Sequence, residues 1–107
     1  MILSYKNKEI EVIECKSFFS RFRGFMFCKN IDKALLFKKC NSIHTCFMFS
    51  NIDVIMCDKD YKVLYYYPNF GKWRFILPKK DVYLTIETPS NYFDIRVEDK
   101  LKIIKRV

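Results

Sequence analysis

The stretch IDVIMCDKDYKVLYYYP, residues 52–68, decides the fold class. Two runs rich in β-branched and aromatic residues, 52–57 and 62–68, flank the turn-forming sequence DKDY. Runs of this length on either side of a short polar turn predict a β-hairpin. The stretch therefore predicts a β domain, and further strands are expected before and after it in the chain.

Similar short strand patterns recur along the whole sequence. At the start, MILSY and EIEVIE flank KNK, which predicts another hairpin with Asn7 in its turn. The segment NYFDIRVED, residues 91–99, has the cleanest alternation of apolar and polar residues. Strands so short and evenly spaced predict a mainly β fold, a single-domain antiparallel barrel or sandwich over residues 1–107. The other predicted strands are ALLFK at 34–38, DVYLTIE at 81–87 and KLKIIKRV at 100–107.

One segment, KSFFSRFRGFMF at 16–27, changes to a helical period. Its apolar residues fall within one arc of a helical wheel, so it predicts one short amphipathic helix near the N-terminus that Gly24 can end. We expect the apolar arc to face the core, because a β-rich domain needs an element to cover its sheet; the alternative is a membrane-facing arc. The arc contains Phe18, Phe19, Phe22, Phe25 and Met26.

The amino-acid composition restricts the classes of function that are expected. The chain has 107 residues, a mass of 13.0 kDa and a formal net charge of +8. Fifteen of its 20 basic residues are lysine, whereas specific nucleic-acid readers use arginine for bidentate base contacts. We therefore expect a solvated basic surface and no dedicated nucleic-acid binding. No window approaches the roughly 18 consecutive apolar residues that a membrane span requires, and no cofactor is expected.

The cysteines indicate the redox environment. Their number is odd, no two of them form a C-x-x-C pair, and the start of the chain shows no basic leader followed by an apolar run. These features predict reduced thiols and a cytoplasmic location. The five residues are Cys15, Cys28, Cys40, Cys46 and Cys57.

Five short motifs occur in a fixed order along the chain. They are RFRGFM at 21–26, IHT at 43–45 with Met48 after it, ID at 52–53, WR at 73–74, and a strand ending in Glu87. Their order and spacing together resemble the bacterial and archaeal family known as domain of unknown function 192. The resemblance implies a small, mainly β domain without an established enzymatic activity. Members of that family are often exported or encoded near secretion and pilus genes.

Three turns depart from the pattern of that family. The family has glycine where this chain has Tyr61, Glu98, and either Ser90 or Asn91. A bulky residue held at positive φ costs on the order of 1 kcal/mol. We therefore expect these turns to have changed type.

The polar residues of the motifs define the candidate site. A carboxylate on a buried strand, such as Asp53, must be hydrogen-bonded or paired, because burying it alone is costly. We expect a polar network that joins Asp53 to Arg21 and His44; the alternative is that Asp53 accepts backbone N–H bonds at a turn. The leading hypothesis is a non-catalytic binding or accessory module with a polar groove around His44 and Asp53, for an unknown small ligand or protein partner. The candidate ligand-binding residues are Arg21, His44, Thr45, Asp53, Trp73, Arg74 and Glu87.

Other chemistries remain open around the sequence HTCFM. If it forms a strand, His44, Cys46 and Met48 share one face, and this soft ligand set suits copper(I) or, without the methionine, zinc. The competing interpretation is ordinary core packing. A small hydrolase would instead use His44 as a general base assisted by Asp53 or Cys46. Trp73 and the neighbouring tyrosines would either stack on a ligand or pack across the sheet.

Overall fold

A computed structural model describes residues 1–105, apart from the side chain of Phe18. This part of the chain contains nine β-strands and one α-helix. In chain order they are β1 (Ile2–Tyr5), β2 (Lys8–Glu14), α1 (Phe18–Arg23), β3 (Ala34–Lys38), β4 (Ile43–His44), β5 (Ile52–Cys57), β6 (Val63–Phe70), β7 (Phe75–Ile76), β8 (Leu84–Pro89) and β9 (Lys102–Ile104). The mainly β prediction with one short N-terminal helix is confirmed.

Seven strands form one sheet in the order β6-β5-β8-β3-β2-β1-β9, and β4 and β7 form a separate two-stranded pair. All neighbouring strands in the large sheet are antiparallel except β2 and β3, which run parallel. Parallel neighbours need a long crossover connection. Here that crossover is the segment 15–33, which contains α1. It places the end of the helix on the face of the sheet to which Glu87 of β8 points.

The sheet is curled into a half-barrel with a hydrophobic cluster on each face. On the concave side, Leu3 of β1 packs in the same cluster as Ile55 of β5 and Val63 of β6. Strands from both ends of the sheet meet in this cluster, which a flat sheet would not allow. On the other face Val54 belongs to a second cluster, because successive side chains of a strand point to opposite faces. This second face is the one that α1 and the following loop approach.

Both predicted hairpins are confirmed. The turn between β1 and β2 consists of Lys6 and Asn7, which adopt φ values of 47° and 66°. Two successive residues with positive φ match the twist of the strands that they join. The hairpin of residues 52–68 is β5 with β6. Strand β5 also pairs with β8 and lies inside the sheet, whereas β6 is an edge strand.

The prediction of a strand at 91–99 is wrong. Phe93 and Ile95 are buried and Asp94 and Arg96 are exposed, as the alternation required, but Val97, the next apolar residue of the pattern, is 49% exposed. However, the segment joins no strand ladder, and it packs the side chains of Phe93 and Ile95 into the concave cluster from a loop. Alternating polarity thus predicted burial but not backbone pairing. The closing strand predicted at 100–107 is the shorter β9, and Arg106 and Val107 lie outside the described residues.

The turns that lack the family glycine have not changed type. Tyr61, Asn91 and Glu98 adopt φ values of 64°, 61° and 82°, the left-handed conformation that glycine favours. Local contacts hold them in place. The Asp58 carboxylate accepts the Lys62 N–H at 3.0 Å in the first turn, and the Lys62 ammonium lies 2.7 Å from the Glu98 carboxylate. The expectation of altered turns is therefore wrong.

Helix α1, Phe18–Arg23, is shorter than the helical segment predicted over 16–27, and it ends before Gly24, the residue that the sequence indicated. The Ser17 hydroxyl oxygen caps it by accepting the Ser20 N–H at 3.1 Å, and Gly24 follows its last residue with φ 50°. The core-facing interpretation is wrong for Phe19 and Phe22, which are 71% and 58% exposed. Because the helix has only six residues, the chain leaves it before Phe25 and Met26, and these reach the core from the loop. Phe18 cannot be assigned, since its side chain lies outside the described part.

Within residues 1–105, α1 is the only helix, and its six residues are too few to cross a membrane.

Candidate functional site

A cavity of about 290 Å³ lies between the end of α1 and the convex face of the sheet. Its walls come from α1, β3, β4 and β8 and from the loops beside them, so residues distant in sequence meet there. We call it the Glu87 cavity. Its lining residues are Arg21, Phe22, Arg23, Gly24, Phe37, Cys40, Ser42, Ile43, His44, Met48 and Glu87.

Glu87 lies at the floor of this cavity. It belongs to β8, which has β3 on one side and β5 on the other, and it is paired across the sheet with Leu35 and Val54. Only 3% of the residue is exposed, and its Oε1 has no hydrogen-bond partner among the described residues. Burial raises the pKa of Glu87 from its ordinary value of 4.5 to about 8. At neutral pH most molecules therefore carry Glu87 as a neutral carboxylic acid.

Because Gly24 has no side chain, space remains beside the carboxyl group of Glu87. A Cβ atom at Gly24 would come 3.4 Å from Glu87 Oε1 and 3.6 Å from the ring of Phe37. The φ of 50° at Gly24 also disfavours any larger residue. The glycine therefore ends the helix and keeps the approach to the carboxyl group open.

Arg21 and His44 line the same cavity. The Arg21 guanidinium donates to the carbonyl of Lys39 at 3.3 Å, which ties the helix to the end of β3. Nδ1 of His44 accepts the Cys46 N–H at 3.2 Å, so the neutral ring carries its proton on Nε2. The ring of His44 is half-buried and lies 5.4 Å, centroid to centroid, from Phe22. The cavity thus brings together Arg21, His44 and Glu87, three of the seven predicted site residues.

Three other predicted residues lie outside the cavity, around the loop 71–74. Thr45 is buried, its hydroxyl donates to the Gly71 carbonyl at 2.7 Å, and it accepts the Arg74 N–H at 2.9 Å. The guanidinium of Arg74 lies over the ring of Phe70 at 5.0 Å. Trp73 is exposed on the outside of the loop. These contacts give Thr45 and Arg74 a structural position and leave Trp73 on the surface.

The predicted network from Asp53 to Arg21 and His44 is not formed. Asp53 pairs with Thr88, one residue beyond Glu87, so its side chain points to the opposite face of the sheet. Its Oδ1 accepts the backbone N–H of Asn69 at 2.7 Å. The alternative, in which Asp53 accepts a backbone N–H bond, describes this arrangement better.

Tyr66 supports Asp53 from the next strand. Its hydroxyl lies 3.3 Å from Asp53 Oδ2 and donates to the Phe93 carbonyl at 2.9 Å. Burial first, and the charge of Asp53 second, raise the pKa of Tyr66 to about 12. The phenol therefore stays protonated and holds the segment 91–99 against the sheet.

The strand interpretation of HTCFM is wrong. Strand β4 ends at His44, and the chain then turns, with Phe47 at φ 62°. Met48 is buried in the cluster of the convex face, while Cys46 is half-buried and does not line the cavity. Over residues 1–105 no group of three histidine, cysteine, aspartate or glutamate side chains is arranged to hold a metal ion. The proposed set of His44, Cys46 and Met48 therefore does not share the face of a strand.

The sequence reasoning missed most of the walls of the cavity. Phe22, Phe37 and Ile43 supply apolar surface, and Cys40 and Arg23 lie beside the candidate residues. A signal was present for Arg23, because it flanks Gly24 in the RFRGFM motif. Phe22 and Ile43 also stand within the RFRGFM and IHT motifs, whereas Phe37 carries no such signal.

The fold and the cavity define a class: a small curled β-sheet domain with a buried carboxyl group beneath a short helix. The family model described as "Uncharacterized ACR", that of DUF192, matches residues 1–103. The chain belongs to the DUF192 family, and the resemblance seen in the sequence is confirmed.

Individual relatives agree with this assignment. A UPF0127 protein of Thermococcus kodakarensis is 42% identical over 79 residues, which are 68% of this chain and 50% of that protein. A UPF0127 protein of Thermococcus sibiricus is 39% identical over 84 residues, 73% of this chain and 54% of that protein. The chain thus spans about half the length of the curated relatives that it matches.

A solved structure is similar as well. A protein of unknown function from Novosphingobium aromaticivorans superposes with a TM-score of 0.77, covering 95% of this chain and 82% of that chain at 13% sequence identity. At this identity the likeness concerns the fold alone. It supports the curled sheet as a common architecture.

Proposed function

We propose that this chain is a non-catalytic binding module and that its ligand is a small molecule bound in the Glu87 cavity. One observation carries the proposal: a buried carboxyl group lies at the floor of an open cavity with Oε1 unpartnered among residues 1–105. Buried polar groups in proteins are nearly always hydrogen-bonded, and an unpaired one costs about 1–3 kcal/mol. A ligand that donates a hydrogen bond to Oε1 would remove that cost.

The cavity indicates the chemistry of the ligand. Its volume of about 290 Å³ is at the small end of the range for ligand pockets, so the ligand is small. A group with N–H donors would reach Glu87, and the apolar walls at Phe37, Ile43 and Met48 would cover a short hydrocarbon part. A primary amine fits best, because its ammonium group would convert Glu87 to the carboxylate and pair with it.

Arg21 and His44 complete the proposed site. The fixed charge of the Arg21 guanidinium favours an acidic or strongly polar group on the ligand at the end away from Glu87. His44 can donate from Nε2 to the same end. The groove around His44 and Asp53 is thereby revised to a cavity that contains His44 but not Asp53.

The test uses the only histidine of the chain as a reporter. A panel of small amines and matched amides would be added while the ring signals of His44 are followed by NMR. We expect amines to shift these signals and to bind more tightly as the pH rises from 6 to 8, because they select the ionised form of Glu87.

Glu87→Gln is the informative variant, since it keeps the shape of the side chain and removes its charge. It should abolish the pH dependence of amine binding, whereas Glu11→Gln, a change at an exposed position of β2, should not. If no amine or amide shifts the His44 signals, or if Glu87→Gln binds amines like the unchanged chain, the proposal fails.

A second candidate function is acid–base catalysis. Glu87 and His44 line the same cavity, and a carboxylic acid with a pKa raised to about 8 is suited to donate a proton near neutral pH. In the hydrolase alternative, Glu87 therefore replaces Asp53 as the residue that assists His44. The same NMR series separates the two functions, because a bound ester or amide probe persists in a binding module and is consumed by an enzyme.

The cytoplasmic location stays a prediction. It is supported by the five cysteines, which all lie within the described residues and are all free thiols.

A further inference from the structure

Exposed aromatic side chains lie in two groups, one of which reaches the Glu87 cavity through Phe22. Six rings, each between 45% and 67% exposed, make up what we call the aromatic surface. They are Phe22, Phe27, Phe47, Phe49, Trp73 and Phe75.

Four of the six rings contact one another directly. Phe47 packs against Trp73 with centroids 4.7 Å apart and against Phe27 at 5.4 Å, and Phe27 in turn meets Phe49 at 6.1 Å. The ring of His44 lies between the other two members, Phe22 and Phe75. Single exposed apolar residues are ordinary, but rings that contact one another in this way mark an interaction site.

The backbone holds several of these rings outward at a cost. Phe27, Phe47 and Trp73 adopt φ values of 61°, 62° and 60°. Bulky residues rarely adopt this left-handed conformation, and such strain concentrates at functional positions. The Phe27 N–H bond to the Phe47 carbonyl at 3.0 Å and the Trp73 N–H bond to the Thr45 carbonyl at 3.1 Å keep the loops in this arrangement.

The segments that carry the aromatic surface are basic. The three segments that build it, 16–31, 39–52 and 71–80, contain four, one and four lysines and arginines, and none of the 12 acidic residues of the chain. Nine of the 20 basic residues therefore lie in these segments, and an aspartate follows each segment directly, at Asp32, Asp53 and Asp81. The patch is complementary to a surface that is both apolar and anionic.

We propose that the aromatic surface docks this protein on an anionic phospholipid bilayer. Phenylalanine rings and a tryptophan would enter the interfacial layer, while the surrounding lysines and arginines contact lipid phosphates. A bilayer suits these residues better than a nucleic acid, because five of the six rings are phenylalanines without hydrogen-bonding groups and six of the nine cations are lysines. This docking does not depend on the ligand of the Glu87 cavity.

Trp73 provides the measurement, because it is the only tryptophan of the chain and is 60% exposed. The full chain would be mixed with vesicles of equimolar phosphatidylcholine and phosphatidylserine, or of phosphatidylcholine alone, at low and at physiological salt. We expect co-sedimentation and a blue shift of the Trp73 emission with the anionic vesicles, weaker at higher salt. Phosphatidylcholine alone should bind at least tenfold more weakly.

Matched variants locate the contact. The double change Phe27→Ser and Phe49→Ser removes two rings that do not line the Glu87 cavity, and it should weaken vesicle binding at least tenfold. Val97→Ser, at an apolar residue that is also half exposed but lies in the loop on the concave side, should leave binding unchanged. Unaltered circular dichroism of each variant shows that the fold is kept.

Charge variants test the electrostatic part. Removing Lys29 and Lys72, which flank the rings in sequence, should weaken binding about fivefold for each lysine. The control pair Lys59→Ala and Lys100→Ala, at exposed positions outside the three segments, should have a smaller effect.

Several results would overturn the inference. One is a lack of co-sedimentation with anionic vesicles at low salt, and another is equal binding by the ring variants and the Val97 control. Preferential binding of single-stranded RNA over the vesicles would assign the surface to nucleic acid instead. Self-association that buries Trp73 without vesicles would assign it to a second copy of the chain.

Discussion

The buried carboxyl group of Glu87 should make the stability of this protein fall as the pH rises from 5 to 8. Its pKa in the folded chain is raised to about 8, whereas the unfolded chain exposes a glutamate with a pKa near 4.5. Between these values the folded state binds more protons than the unfolded state, so the free energy of unfolding decreases with increasing pH. The stabilising form is thus the protonated acid, fully present below about pH 4.5 and lost as the pH passes through 8.

The size of the effect follows from the two pKa values. One pKa unit corresponds to about 1.4 kcal/mol, so raising the pH from 5 to 8 should lower the free energy of unfolding by roughly 3 to 4 kcal/mol. A domain of this size has a total stability of about 5–15 kcal/mol, so the loss is large. With an m value of about 2 kcal/mol per M, the urea midpoint should fall by nearly 2 M.

Urea unfolding at pH 5 and at pH 8, followed by circular dichroism, measures this difference. Glu87→Gln cannot ionise, so it should be as stable as the unchanged chain at pH 5, to within about 1 kcal/mol, and more stable by roughly 3 kcal/mol at pH 8. Glu11→Gln is the control, because Glu11 is exposed on β2 and its removal should leave the pH dependence intact. Any slope that remains in Glu87→Gln reports the other ionisable groups of the chain. If Glu87→Gln keeps the full slope, or if the unchanged chain shows none, Glu87 is not the desolvated acid described above.

Further substitutions test the surroundings of the cavity by urea unfolding. Gly24→Ala should cost about 1–2 kcal/mol, because alanine disfavours the φ of 50° and its Cβ would lie 3.4 Å from Glu87 Oε1; a neutral effect would contradict this. Thr45→Val should cost about 2–3 kcal/mol by removing the hydroxyl that is bonded to the loop 71–74, and a loss below about 0.5 kcal/mol would show that the hydroxyl is dispensable. Asp53→Ala should lower the free energy of unfolding by a similar amount, because it removes the acceptor of the Asn69 N–H. At a temperature where this variant is folded, amine binding should be unchanged; altered binding would show that Asp53 contributes to the site.

The sequence motifs pointed to three residues that line the cavity, but they did not indicate how these residues meet. Arg21, His44 and Glu87 were selected because their motifs occur in a family order. Their meeting depends on the crossover from β2 to the parallel strand β3, which lays α1 over β8. No local pattern encodes that step, since hydrophobic periodicity describes one element at a time.

The error at Asp53 has a specific physical cause. Side chains alternate between the faces of a strand, so the face that Asp53 occupies relative to Glu87 depends on the register between β5 and β8. In the structure Val54, not Asp53, is paired with Glu87, and a shift of one residue would have put both carboxylates on the same face. A single sequence gives the alternation within each strand but not the register between strands that are 30 residues apart.

The segment 91–99, which was wrongly predicted as a strand, also shows that a local sequence pattern does not give the contacts between elements. Its alternation is real, because Phe93 and Ile95 are buried between exposed Asp94 and Arg96. A strand also requires a continuous run of backbone bonds to a neighbour, and here only Glu98 and Asp99 exchange backbone bonds with Val63 of β6, while the Asp99 N–H donates locally to the Arg96 carbonyl. Alternating burial is therefore necessary for a half-buried strand but not sufficient.

The two proposals share a thermodynamic argument. A domain with a total stability of about 5–15 kcal/mol carries a desolvated carboxyl at Glu87 and bulky left-handed residues at Phe27, Phe47 and Trp73. Each feature costs on the order of 1–3 kcal/mol in the free chain. Oε1 of Glu87 has no hydrogen-bond partner among residues 1–105, and the three left-handed residues hold their rings at the surface. A ligand at Glu87 or a surface against the rings binds the folded chain alone, and it should therefore raise the apparent stability in proportion to the logarithm of its concentration.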